Sequence, residues 1–247
     1  MRASMFSTGL AAILAIGLLP NCATDTPSDE LEGESSADGE TGKTDFSAEA
    51  FTFFYAQPDL RACSFDARCG GFFVSRPNRA STICGRGSTA ARCYVDSIDW
   101  SGTAMPASVA KSYEDRLRAG ESLILKGDIA PDPLDRGASL YVTEVWVPGS
   151  PTGANVGVAV LVKDNGIRCI TTPCASLTEQ KLNSNLSAQI TDLDLAASGA
   201  DDRALELASN QLAGEGVLVF GYRYYPARNA KGREANQFYT RAPVPQF

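Results

Sequence analysis

Ala119-Gly120-Glu121-Ser122-Leu123-Ile124-Leu125-Lys126-Gly127 and Ala213-Gly214-Glu215-Gly216-Val217-Leu218-Val219-Phe220-Gly221 lie 94 residues apart in one chain. Each reads as the close of a helix, a glycine turn, and an apolar strand that ends on glycine. The likeness extends outward in the same order. Upstream, Ser97-Ile98-Asp99 matches Asp192-Leu193-Asp194 at a displacement of 95. Further up, Leu60-Arg61-Ala62-Cys63 with Cys69 matches Gly166-Ile167-Arg168-Cys169 with Cys174, displaced by 106 at the first cysteine and 105 at the second. Downstream, Leu140-Tyr141-Val142-Thr143 with Pro148 parallels Gln237-Phe238-Tyr239-Thr240 with Pro245, both displaced by 97. Matching blocks in a fixed order mark an internal repeat.

The expected fold is therefore α+β, with two tandem pseudo-symmetric repeats over 50–149 and 150–247. Each repeat is a mostly antiparallel sheet covered by one helix, in the order strand, strand, strand, helix, strand, strand. The first copy places these near 51–55, 72–75, 94–100, 107–119, 122–128 and 140–147; the second near 156–162, 177–182, 188–195, 202–213, 217–225 and 238–242. Apolar spacing of three and four supports both helices, through Val109, Tyr113 and Leu117 and through Leu205, Ala208 and Leu212. Asp201 is the expected N-cap of the second, and Gly120 and Gly214 the expected left-handed caps.

The chain has seven cysteines, an odd number that asks for an explanation in an exported protein. Six fall as the close pairs Cys63/Cys69, Cys84/Cys93 and Cys169/Cys174, and local disulfides are the simplest pairing. The displacement between copies shrinks by about ten residues across Cys84–Cys93, which marks that span as a disulfide-closed insertion in the first copy only. With no histidine in the chain and no paired CxxC spacing, structural disulfides are favoured over a zinc site.

The seventh cysteine, Cys22, stands at the end of an N-terminal stretch with one charge, Arg2, and an apolar run from Leu10 to Leu19. That is the layout of an export signal over 1–21, too short to span a membrane as a helix. Leu19-Pro20-Asn21-Cys22 resembles the lipobox of bacterial lipoproteins, which implies that Cys22 becomes the acylated first residue of the mature chain; Asn21 departs from the small residue usual there. Ordinary cleavage after Ala23 is the rival reading. Ala23 rather than Asp after the cysteine resembles outer-membrane sorting. Lipid-anchored residence in a bacterial cell envelope follows, periplasmic or surface-exposed.

Between Ala23 and Glu49 stand nine acidic residues and one lysine, the composition of an extended, self-repelling tether. The net charge of −7 belongs to this segment, for residues 50–247 carry twenty acidic and twenty basic side chains. No nucleic-acid footprint remains.

Without histidine, Ser-His-Asp and Cys-His machinery is excluded, which leaves carboxylate or Ser-Lys chemistry. Asp96 with Asp99, and Asp192 with Asp194, are the carboxylate pairs. Strand-end solvation or capping of the following helix is the favoured reading for both. Cys169-Ile170-Thr171-Thr172-Pro173-Cys174 is a short disulfide-closed loop, suited either to stapling two strands or to entering a protease cleft through Thr171, Thr172 and Pro173. Tyr222, Arg223, Tyr224 and Arg228, with Tyr225, Lys231, Arg233 and Tyr239, suggest an aromatic and basic last hairpin able to stack sugars or nucleic acid, although a solvated hairpin with its tyrosines packed on the sheet is the favoured reading. The matching loop of the first copy carries Asp132 and Asp135.

The lipobox-like start, the acidic tether, the Arg-Cys-Ile-Thr-Thr-Pro-Cys run of 168–174 and the Cys69-Gly70-Gly71 turn together resemble an uncharacterised domain family of predicted myxobacterial lipoproteins. That resemblance implies secretion and disulfides and assigns no activity. The expected function is a non-catalytic envelope lipoprotein that binds a protein or glycan partner, with protease inhibition by the 169–174 loop and carboxylate-dependent hydrolysis as alternatives. No cofactor or metal is expected, and nucleic acid is excluded as a partner.

Overall fold

The computed structural model describes residues 52–62, 68–131 and 137–243. Residues 1–51, with the export signal, Cys22 and the acidic tether, lie outside them, as do Cys63, Asp132 and Asp135. The first half contains β1 (Thr52–Pro58), β2 (Phe72–Ser75), β3 (Thr82–Ile83), β4 (Thr89–Ala90), β5 (Cys93–Val95), β6 (Ser97–Asp99), α1 (Ala107–Arg118), β7 (Ile124–Pro131) and β8 (Ala138–Pro148). The second contains β9 (Val158–Asp164), β10 (Leu177–Lys181), β11 (Ser187–Ile190), β12 (Asp192–Asp194), α2 (Asp202–Leu212), β13 (Val217–Tyr224) and β14 (Gly232–Arg241).

One sheet takes the strands in the order β11-β10-β9-β13-β14-β8-β7-β1-β2-β5, antiparallel throughout, with β12 laid parallel on β14 and β6 parallel on β8. The fold is α+β, as the sequence implies. On each side of the β14–β8 seam the pairing follows one scheme. Thr52 faces Gly127 and Val158 faces Gly221; Ala56 faces Val74 and Val162 faces Glu179; Ile129 faces Leu140 and Arg223 faces Arg233. The β3–β4 hairpin, closed by the Cys84–Cys93 disulfide, stands between β2 and β5 and has no counterpart between β10 and β11.

Each strand expected over 94–100 and 188–195 is in fact two. The chain leaves its antiparallel neighbour at Asp96 and Thr191 and joins another strand. Asp96 N donates to Ala138 O at 2.8 Å while its carboxylate accepts from Ala138 N at 3.1 Å. Thr191 donates from both N and Oγ1 to Lys231 O, at 2.7 and 2.9 Å. The last strand starts six residues before the expected 238, because the polar run from Gly232 pairs with β13 and β12. Asp201 caps α2 by accepting from Ala204 N at 2.8 Å. Gly120 takes the left-handed conformation expected after α1, but after α2 it falls to Gly216, whose N–H reaches Gln211 O.

Gly127 and Gly221 mark irregularities in register on β7 and β13. A Cβ at Gly127 would stand 2.0 Å from Tyr141 O, and one at Gly221 1.8 Å from Glu234 O. Only glycine permits so close an approach of the partner backbone.

Three apolar clusters hold the molecule. α1 lays Leu117 on Phe54, Phe72, Val74, Leu125 and Leu140, and α2 lays Ala208 on Val160, Val162, Val217 and Phe238. The third gathers Trp146, Ala159, Leu182, Leu218, Phe220 and Tyr239, with Phe53 and Tyr55 against it. This third cluster requires a curled sheet. Four strand spacings separate β1 from β13, about 19 Å if flat, yet the rings of Tyr55 and Phe220 lie 5.7 Å apart.

Two asparagines, both at positive φ, close the curl reciprocally. Asn183 accepts from Phe53 N at 2.9 Å and donates to Phe53 O at 3.1 Å, while Asn78 accepts from Ala159 N at 2.9 Å and donates to Ala159 O at 2.7 Å. Each side-chain amide pairs with a strand of the other half as a neighbouring peptide would. No helix among the described residues is long and apolar enough to cross a membrane.

Candidate functional site

The β9–β10 connection is built by the residues at its base. Asp164 Oδ1 accepts from Gly166 N at 2.7 Å, and Asn165 Oδ1 accepts from Ile167 N at 2.9 Å, the local bonds by which Asp and Asn open turns. Asn165 also ties the returning strand, donating from N to Ser176 O and from Nδ2 to Ala175 O, both at 3.0 Å. Arg168 grips Asp164 with two guanidinium nitrogens at 3.0 and 2.7 Å. That hydrogen bond, helped by the Gly166 N–H, holds the Asp164 carboxyl at about 2, well below the usual carboxylate range.

Above this base the Cys169–Cys174 disulfide closes the loop. Thr171, Thr172 and Pro173 are exposed, and Ile170 is fully so, at 104 % of its reference area. An isoleucine standing free of its own protein contributes to binding only when something else covers it, a gain of about 1.5–3 kcal/mol for complete burial. The loop backbone is already ordered, so little entropy opposes that gain. Cys69, on the corresponding connection of the first half, is likewise disulfide-bonded.

The last hairpin differs from the surface its sequence suggests. Tyr222 and Arg228 are exposed, as is Tyr225, but Arg223 turns inward. Its side chain, 1 % exposed, donates to Glu179 Oε1 from Nε at 2.9 Å and Nη2 at 2.5 Å. Arg233, 0 % exposed, donates to Glu179 Oε2 at 2.8 Å and to Gly221 O at 2.9 Å. Its Nη2 is buried without a hydrogen-bond partner among the described residues. Two guanidinium groups thus share one carboxylate inside the protein. The same places in the first half's register hold Ile129, Leu140 and Val74, all buried and apolar.

Tyr224 donates its hydroxyl to Asp192 Oδ2. Desolvation, then the Asp192 hydrogen bond, push that hydroxyl's pKa well above the usual tyrosine value. Of the other carboxylate candidates, Asp194 accepts from Ala196 N and Asp99 from Ser101 N, both at 2.9 Å, which caps the turns that follow them, whereas Asp96 accepts from Ala138 N at the start of β8 and lies 3.9 Å from Arg68. Among the described residues no group of three or more Asp, Glu, Cys or His side chains is placed to hold a metal ion.

A family model described as a domain of unknown function (DUF6748) matches residues 52–244, which takes in both halves of the sheet. The chain belongs to this family. No curated protein and no solved structure is detectably similar to it. The DUF6748 region begins at the first residue of β1 and so excludes the acidic tether.

Sequence reasoning singled out the 169–174 loop and the two arginines of the Glu179–Arg223–Arg233 cluster, though as part of an exposed surface. It missed Glu179 and the asparagine pair. Glu179 lies in Leu177-Thr178-Glu179-Gln180-Lys181, whose alternation reads as solvated, and its partners stand 44 and 54 residues further on. The register that sets this acid and its two arginines against Val74, Ile129 and Leu140 comes from the strand pairing, for the sequence match at a displacement of 97 set Leu140 against Gln237.

Proposed function

We propose that this member of the DUF6748 family is a lipid-anchored protein of the bacterial cell envelope that acts by binding, and that the β9–β10 loop is what it presents to a protein partner. The carrying observation is the contrast between that loop's base, where Asp164, Asn165 and Arg168 fix the backbone, and its tip, where Ile170 has no cover. An aliphatic tip favours a protein socket over a glycan, whose recognition relies on aromatic faces and polar donors. Anchoring rests on the lipobox-like run ending at Cys22, and outer-membrane placement on Ala23 after it.

The body is read as a duplicated unit with a seam between β8 and β14. The sequence blocks matched at displacements of 94, 95, 105 and 106 support this, as do the parallel pairing schemes and the reciprocal roles of Asn78 and Asn183; the last strand is the exception, since its register sets Leu140 against Arg233, not against the Gln237 of the sequence match. A second reading, inhibition of a secreted protease by Thr171, Thr172 and Pro173, draws on the same exposed and closed loop.

Co-purification from envelope extracts tests the binding reading. The wild-type chain is expected to retain a partner that a heat-denatured control does not, and Ile170→Asp to lose it while remaining folded. Equal retention by Ile170→Asp overturns the loop's role. Titration of the wild-type chain against secreted proteases tests the second reading, which fails if inhibition survives replacement of Thr171, Thr172 and Pro173.

A further inference from the structure

Between α1 and the turn that leads into it lies a cleft of about 570 Å³, within the range of about 300–1,000 Å³ usual for small-molecule sites. Trp100, Ser101 and Met105 line it from the turn, and Ala107, Ala110 and four charged side chains line it from the helix. The turn is fixed by its own bonds. Thr103 donates from N and Oγ1 to Trp100 O, at 3.0 and 2.8 Å, and Ser101 N donates to Asp99 Oδ1 at 2.9 Å. Trp100 and Met105 also pack on the apolar cluster beneath α1. The Trp100 indole nitrogen is buried, with no hydrogen-bond partner among the described residues, so the indole shows only carbon to the cleft.

The helical wall is charged but balanced. Lys111 donates to both oxygens of Asp115, at 2.9 and 3.2 Å, and Arg118 donates twice to Glu114 Oε1, at 3.1 and 2.8 Å. Arg118 is held further by Gly70 O at 3.0 Å and by the Phe72 ring, whose centroid lies 4.7 Å away. Two cations and two anions cancel, so the wall gives a charged ligand no net attraction. Polar capacity is nevertheless left over. Among the described residues Glu114 Oε2 accepts no hydrogen bond, one N–H of the Lys111 ammonium is unused, and the Ser101 hydroxyl is exposed.

An apolar aromatic surface beside neutral-sum donors and acceptors fits a ring that is C–H on one face and edged with hydroxyls, which is the chemistry of a pyranose. The second half keeps the layout without these side chains. Its turn, Ala196–Ser198, and α2 both start 95 residues further on. The place of Trp100 there holds Leu195, buried in its own cluster, and the places of Glu114 and Asp115 hold Ser209 and Asn210. The scaffold therefore stands without the tryptophan or the carboxylates.

We infer that this cleft is a binding site for a neutral saccharide, with Trp100 as the stacking surface and Lys111, Glu114 and Ser101 as hydroxyl partners. It is separate from the 169–174 loop, so Ile170→Asp should leave it intact.

The test titrates the full chain with maltose, cellobiose, lactose and N,N′-diacetylchitobiose, by calorimetry and by nuclear magnetic resonance of the indole N–H groups of its two tryptophans. Saturable binding of at least one disaccharide is expected, with a shift at Trp100 and none at Trp146, which is 2 % exposed. Trp100→Leu should weaken binding at least about tenfold, and Lys111→Ala and Glu114→Gln about threefold or more each, with cooperative thermal melts in all three. The ligand is neutral, so affinity should be about the same at roughly 20 and 500 mM NaCl. No saturable binding of any of the four at up to about 20 mM overturns the inference. So does binding that Trp100→Leu leaves unchanged, or a shift centred on Tyr222 and Arg228 instead. A stronger response to sucrose octasulfate or to spermidine than to every neutral disaccharide makes the cleft an ionic site, and the inference fails.

Discussion

Replacing Glu179 with valine should be among the most damaging single changes in this protein, and the register of the sheet supplies its remedy. Glu179 accepts three hydrogen bonds, two from Arg223 and one from Arg233, at a place where both guanidinium groups are 1 % exposed or less. Each charge-assisted bond contributes about 1.5–3 kcal/mol. Because water and rearranged side chains recover part of that, the loss expected on breaking a buried pair is about 3–5 kcal/mol. With a urea m-value of about 2–3 kcal/mol/M, the midpoint of unfolding should fall by about 1–2.5 M. The corresponding positions of the first half show what an apolar solution looks like, namely Val74, Ile129 and Leu140. Glu179→Val combined with Arg223→Ile and Arg233→Leu should therefore recover at least wild-type stability, since well-packed apolar replacements of buried ion clusters are often neutral or stabilising by about 1–4 kcal/mol. Urea melts followed by tryptophan fluorescence and circular dichroism measure both variants. An unchanged midpoint for Glu179→Val, or a triple variant as unstable as the single one, would refute the reasoning.

Other expectations concern the seam, the strand irregularities and the loop base. Asn183→Ala removes the bonds to Phe53 and one to Pro77 O at 3.1 Å, and should cost about 2–3 kcal/mol. Native-state hydrogen exchange should show the Phe53 amide opening first, and an equally protected Phe53 would count against the closing role of that side chain. Gly127→Ala and Gly221→Ala should each destabilise by more than about 3 kcal/mol, since the added carbon meets a partner-strand carbonyl; thermal melts indistinguishable from wild type would contradict this. The Asp164 carboxyl should titrate near 2 by carbon-detected resonance, rising toward 4 in Arg168→Gln. Its folded-state pKa is depressed, so its stabilisation of the loop base is present above about pH 4 and is lost as pH falls toward 2.

Much of the chain was readable in advance because the signals concerned are local. Helix spacing, the Asp201 cap and the Cys84–Cys93 and Cys169–Cys174 disulfides each act within about ten residues. The features that were not readable are long-range and polar. Asn78 and Asn183 look like ordinary turn residues until the sheet curls enough to bring each to a strand of the other half. Glu179, Arg223 and Arg233 look solvated, because apolar patterning treats any charge as a surface residue and cannot pair charges across three strands. The early start of β14 was hidden for the same reason, since Gly232-Arg233-Glu234 has the composition of a loop.

The loop at Ile170 bears most of the functional reading, and a photo-crosslinking phenylalanine placed there tests it directly in intact envelopes. Irradiation is expected to give one protein adduct from position 170 and none from the control position Leu207, which is also exposed but lies on α2. No adduct from 170, or the same adducts from both positions, would contradict the assignment of that loop as the partner-binding element.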